Sequence, residues 1–224
     1  MIRLLIVMSL VFSLASCMKG SVGNGDGQSY RAIQTDTVRV GQFWGINVGD
    51  AAQEVYATVQ NIRQQRQIAY LGIAANTYSD LPAVQTKIPF YNSIFLDEVN
   101  ATSTGVQIGF KEDKVDAIFM NSGAPLTKWP SINDFQNSIG IGDPLSTVYD
   151  KLVAIKSLSV YGDKLQRISL FDKNMAKDYE PAMAAVAKWQ ILTTVNTNKR
   201  WELVELNFSA GVITSVYYTL FENN

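Results

Sequence analysis

The sequence predicts an α+β fold. It reads as two tandem repeats, each a short helix (or helix pair) packed on one face of an antiparallel sheet of about four strands. Three observations carry that expectation. The stretch from Ile139 to Ile155 repeats the stretch from Ile46 to Ile62 at a constant offset of 93. Six of the 17 aligned pairs are identical: Ile46/Ile139, Gly49/Gly142, Asp50/Asp143, Val55/Val148, Tyr56/Tyr149 and Ile62/Ile155. Self-similarity at a fixed period marks a repeated structural unit. In both copies a Gly-Asp pair is followed by apolar residues at helical spacing, and the C-terminal halves then align at offset 98 with period-two alternation.

The chain opens with Arg3 and an apolar run, Leu4 to Leu14, too short for a permanent spanning helix. It ends in Leu14-Ala15-Ser16-Cys17, which resembles a bacterial lipoprotein box. That resemblance implies a signal peptide over residues 1–16, cleavage before Cys17, and acylation of the only cysteine in the chain. At about 0.8 kcal/mol per buried CH₂, several acyl chains on Cys17 would hold the protein on a membrane. Met18 rather than Asp follows the cysteine, which in Gram-negative lipoproteins resembles the outer-membrane sorting choice. Residues 17–37 are expected to form a lipidated, Gly-rich tether, with a β-prone stretch beginning at Thr35.

The first repeat spans residues 38–121. Asp50 can cap a helix and Gln53 can complete a capping box, with Val55, Val59 and Ile62 on one face. Candidate strands follow at 68–73, 91–99, 105–110 and 115–120; Val106, Ile108 and Phe110 share a face. Residues 122–131 contain two prolines and read as a linker. In the second repeat, 132–224, Asp143 is the expected cap and Pro144 the first helical residue. Leu145, Val148, Tyr149, Leu152 and Ile155 form its apolar stripe. Strands are expected at 167–171, 188–195, 201–208 and 212–220. The segment 175–186 fits either a second helix or a loop insertion, and the second copy is five residues longer between cap and closing Phe.

The apolar-x-apolar-Gly-Asp start, the Val-Tyr helix and the Phe110-to-Val115 and Phe208-to-Val212 hairpins together resemble the unit of the small outer-membrane assembly lipoproteins (the SmpA/OmlA kind). They also resemble the β-lactamase inhibitor protein, in which two such units stand in tandem. The resemblance implies helices on one sheet face and the other face open to a protein partner. The inhibitor's disulfides have no counterpart here.

Catalytic residue types are scarce. The chain has no histidine, which removes Ser-His-Asp and Cys-His catalysis and the commonest zinc ligand. Asp97 and Glu98 are adjacent on a strand and point to opposite faces. No cofactor, metal or catalytic residue is assigned. The formal charge is −1, and 18 − 20 = −2 after loss of Arg3, with no basic run, which gives no footprint for nucleic acid. Trp201 and Leu203 lie opposite the Val204/Leu206/Phe208 face and, with Tyr217, are the candidate partner-binding residues. The expected function is that of a non-catalytic, lipid-anchored cell-envelope protein. It is tethered to the membrane through Cys17 and binds another envelope protein through its sheet faces. A carbohydrate- or small-ligand-binding lipoprotein is the alternative, and a carboxylate-only hydrolase a third reading.

Overall fold

The computed structural model describes residues 30–99, 102–134, 136–195 and 199–223. The signal peptide 1–16, Cys17 and the following residues to 29 lie outside the described residues. Residues 30–37, assigned above to the tether, form most of β1 (Tyr30–Val38).

The α+β expectation is overturned. The described residues fold as an 11-stranded antiparallel sheet with two further two-stranded ribbons and two short α-helices, a β-rich fold. The first repeat contributes β2 (Gln42–Phe43), β3 (Ile46–Asn47), α1 (Ala52–Ile62), β4 (Ile68–Ala74), β5 (Thr77–Tyr78), β6 (Tyr91–Asp97), β7 (Val106–Lys111) and β8 (Lys114–Met120). The stretch 122–131 holds β9 (Pro125–Leu126) and β10 (Lys128–Trp129). The second repeat contributes β11 (Ile139–Gly140), α2 (Leu145–Lys156), β12 (Arg167–Lys173), β13 (Lys188–Val195), β14 (Arg200–Ser209) and β15 (Val212–Asn223).

The strand order is β1-β15-β14-β13-β4-β12-β6-β7-β8-β9, with β5 also on β12. Two separate sheets fail to form because the first strand after the helix of each repeat pairs with the other repeat. Strand β4 runs beside β13, with Leu71 opposite Ile191 and Ile73 opposite Trp189. Strand β12 runs beside β6, with Ile168 opposite Leu96 and Leu170 opposite Ile94. The two exchanged strands meet at the centre, where Asp172 faces Gly72. The order from β15 to β8 is therefore symmetric about the β4–β12 junction.

The Gly-Asp turns explain the exchange. Gly49 and Gly142 have φ of 105° and 89°, a conformation that only glycine adopts without strain. In the first turn, Gly49 N donates to Ile213 O (2.9 Å), Ile213 N to Asp50 O (3.0 Å), and Ala52 N to Gly211 O (2.9 Å). In the second, Gly142 N donates to Val115 O (2.8 Å), Val115 N to Asp143 O (2.9 Å), and Leu145 N to Asp113 O (2.8 Å). Each turn thus docks on the closing hairpin of the other repeat.

The capping expectation is corrected by the same bonds. Ala51 and Pro144 occupy the N-cap positions, and the first helical N–H is satisfied by the opposite hairpin rather than by a side chain. Glu54, not Gln53, reaches back to Ala51 N (2.9 Å). The aspartates close their own turns instead. Asp50 accepts from Asn47 N (2.8 Å) and Asp143 from the equivalent Gly140 N (2.6 Å).

One face of the sheet is covered by both helices. Val55 and Val59 of α1 and Val148, Leu152 and Ile155 of α2 are fully buried against Leu71, Ile94, Ile108, Ile168, Ile191 and Val204. The longer second copy is explained by the helix-to-strand connection. Five residues separate α1 from β4 (68 − 62 − 1) and ten separate α2 from β12 (167 − 156 − 1). Segment 175–186 is a loop ending in a 3₁₀ turn at Pro181–Ala185 and packs on α1; the 3₁₀ turn Ile88–Phe90 packs likewise on α2.

A charge in this layer has no partner to meet. Val148→Asp is expected to destabilise the whole sheet by more than about 3 kcal/mol in a single transition, read by thermal denaturation. Two separate transitions, with only one affected, would contradict a continuous core.

Candidate functional site

The candidate site is the sheet face opposite the helices. Strand alternation assigns residues to it. Val204, Leu206 and Phe208 of β14 turn into the core, so Trp201, Leu203 and Glu205 turn out. Their cross-strand partners on β15 are Phe221, Thr219 and Tyr217. The structure therefore places all three candidate residues, Trp201, Leu203 and Tyr217, on one face of two neighbouring strands. Tyr217 is 38% exposed, while Trp201 and Leu203 are half-buried.

Trp201 does not pack under segment 175–186. It stacks on Phe221 with ring centroids 4.1 Å apart at 11°, and Tyr30 meets it edge-on at 5.9 Å. Such aromatic pairs contribute about 0.5–1.5 kcal/mol beyond area burial. Tyr30 and Phe221 were not singled out in the sequence, although Phe221 lies on the expected period-two extension of β15.

The same face continues across β13 and β4 to the centre of the sheet. Leu192 stands opposite Leu203 on one side and Tyr70 on the other. At the centre, two bulges oppose each other on β12 and β6. Leu170 and Lys173 belong to the core side, as do Ile94 and Tyr91. The extra residue on each strand leaves Phe171 and Asp172 beside Asn92 and Ser93 on the second face. Bulges re-aim side chains in this way and are frequent beside functional sites. The aromatic ring of Tyr70 lies across Gly72, where a Cβ would fall 2.6 Å from its hydroxyl oxygen.

This centre is polar and buried. Asp172 is 9% exposed, and its carboxyl is pushed up to about 7 by burial, with a side-chain hydrogen bond from Asn92 opposing the shift. The Ser93 hydroxyl is fully buried with no hydrogen-bond partner. Burial, and then the neighbouring Asp172, push the Tyr70 hydroxyl well above its ordinary value. Phe95, Phe171 and Leu192 on this face are also buried, yet none belongs to the main hydrophobic cluster.

The other buried ionisable groups hold the scaffold. Lys173 Nζ donates to the carbonyls of Asn174 (2.8 Å) and Lys177 (3.2 Å) and sits over the rings of Tyr56 and Phe90, at 5.2 and 5.4 Å. Burial lowers its pKa to about 8. Glu180 accepts from Ala182 N and the Tyr91 hydroxyl. Asp97 takes the N–H groups of Glu98 and Thr102 and the Thr102 hydroxyl, while Glu98 pairs with Lys164 at 2.6 Å. These groups are spent on loop geometry and do not converge. Among the described residues no cluster of three or more acidic or cysteine side chains suits a metal ion. No described helix is long and apolar enough to cross a membrane.

No protein-family model matches the chain, and neither the curated proteins nor the solved structures contain a significant match.

Asp172 sets a pH dependence. Its folded pKa lies above the ordinary 3.8, so the folded state binds a proton more tightly than the unfolded chain. Stability is expected to fall as pH rises from about 4 to about 7, and Asp172→Asn should flatten that slope. Urea denaturation at pH 5 and pH 8 checks it; equal slopes in wild type and variant would refute the assignment.

Proposed function

We propose that this chain is a non-catalytic, lipid-anchored protein of the bacterial cell envelope that binds another protein through the second face of its sheet. The observation that carries the reading is where its aromatic and apolar groups fall. Trp201, Leu203, Leu192 and Phe171 collect on the face that the helices leave, beside an exposed Tyr217. Trp and Tyr dominate the energetics of protein interfaces because they bury large rigid areas at low entropic cost. The lipoprotein box at Cys17 supports attachment to a membrane, and Met18 supports the outer membrane of a Gram-negative cell. The likeness of the repeat to the small outer-membrane assembly lipoproteins and to the β-lactamase inhibitor protein is part of this proposal.

A carbohydrate-binding lipoprotein is the second reading, favoured by the flat Trp201–Phe221 stack. A sugar site also needs polar groups that converge in a concavity. The depression of about 380 Å³ lined by Tyr56, Gln60, Met175 and Tyr179 belongs to α1 and its loop, not to Trp201.

Labelled palmitate should enter the wild-type protein in cells and not a Cys17→Ser variant. A photo-crosslinker placed at Tyr217 should trap one dominant envelope protein, with recovery reduced about tenfold by Trp201→Ala, as expected for loss of a hot-spot aromatic. Recovery of no protein above a lipid-anchored control would refute the protein-binding reading and turn attention to glycan arrays.

A further inference from the structure

Asp172 and Ser93 form an unfinished polar site at the centre of the second face. They are cross-strand partners on β12 and β6, and Asp172 also faces Gly72 on β4. Each is at least nine-tenths buried. Among the described residues, the Ser93 hydroxyl has no hydrogen-bond partner, and the Asp172 carboxyl has the Asn92 side chain and no counter-charge. A buried polar group left without a partner is costly, and one retained in a native fold calls for a reason, a bound ion or ligand group among them.

The carboxyl lacks a cation among the described residues, where the ion pairs are formed by other groups. Lys173, the next residue in the chain, turns to the core side between Tyr56 and Phe90. Lys188, on the same face, is held by Glu205 at 2.8 Å. Arg167 stands five residues away at the other end of β12, opposite Asp97. The titratable group that faces Asp172 from β4 is Tyr70, which is neutral at ordinary pH; Asn92 and Ser93 face it from β6. The surround is apolar: Phe171 on the same bulge, Phe95 two residues beyond Ser93, and Leu192 beside Tyr70.

We propose that this centre receives one lysine or arginine side chain of the partner polypeptide, flanked by apolar residues that cover Leu192, Leu203 and Trp201. The inference rests on the protein-binding reading above and adds the chemistry of the partner. A guanidinium or ammonium placed between the two bulges would give the carboxylate its counter-charge and the Ser93 oxygen a donor. The apolar rim excludes water and strengthens that pair. Because free Asp172 holds its proton up to about pH 7, binding of the cation releases that proton. The interaction is therefore stronger at alkaline than at acidic pH.

The test uses two fluorescent helical peptides, one with a single arginine centred among leucines and one with citrulline, its neutral isostere, at that position. Binding to the intact chain in detergent is followed by anisotropy. At pH 8.5 the arginine peptide should bind at least tenfold more tightly than the citrulline peptide. That preference should shrink at pH 5.5, where Asp172 is protonated and arginine is still charged. It should vanish in Asp172→Asn, a variant whose melting curve verifies its fold, and weaken in Ser93→Ala. Equal affinities for the two peptides, or an unchanged preference in Asp172→Asn, would overturn the cation site. If the peptides bind equally and Leu203→Asp weakens both, the cation site falls and the protein-binding face stands. If neither peptide binds, the cation site falls and the face reading rests on the crosslinking result alone.

Discussion

The reciprocal docking of each Gly-Asp turn on the other repeat's hairpin is the constraint on which the rest of the structure depends. Three backbone hydrogen bonds on each side fix the start of a helix against the other repeat's closing hairpin, 27 to 32 residues back for Gly142 to Leu145 and 159 to 164 residues ahead for Gly49 to Ala52. Once Gly49 is tied to Ile213, α1 must lie over the second repeat's strands, and β4 must pair with β13. The same holds for Gly142, Val115, α2 and β12. Neither repeat can complete its own layer, so the two join into one sheet. This is the intramolecular form of the exchange that, between chains, produces domain-swapped dimers.

The join also decides where a binding surface can arise. Strands β4 and β12 meet at the middle of the sheet, where register is set by neither repeat's hairpins. Bulges on β12 and β6 absorb the mismatch and turn Phe171, Asp172, Asn92 and Ser93 to one side. The Trp201–Phe221–Tyr30 cluster lies toward one end of the same face, on the strands that β1 extends. The apolar area and the polar centre thus lie on one continuous surface, although they come from residues 30 to 221.

Charge is handled differently on the two faces. On the helix side, Lys173 is satisfied twice over by carbonyls and by two aromatic rings, and Glu180 by a backbone N–H and a tyrosine hydroxyl. Those bonds pin segment 174–180 to α1, whose Tyr56 and Gln60 also donate to its carbonyls. On the second face, among the described residues, the Ser93 hydroxyl has no partner and the Asp172 carboxyl has the Asn92 side chain but no counter-charge.

Local rules made several features legible in the sequence. The offset of 93, the helical stripe through Val55 and Val148 and the period-two strands are short-range signals. They settled the two helices, the main strands and the outward placement of Trp201, Leu203 and Tyr217. Partner choice between strands was not legible, because β4 offers the same alternation to β6 as to β13 and nothing local distinguishes them. That is why two α+β units were expected and one β-rich sheet was found. Asp50 and Asp143 read as helix caps because the carbonyls that replace a cap belong to a distant hairpin. Asp172 and Ser93 carried no signal at all. Their pairing exists only through opposed bulges on strands from different repeats, so the sequence determined the elements and the tertiary structure alone decided the site.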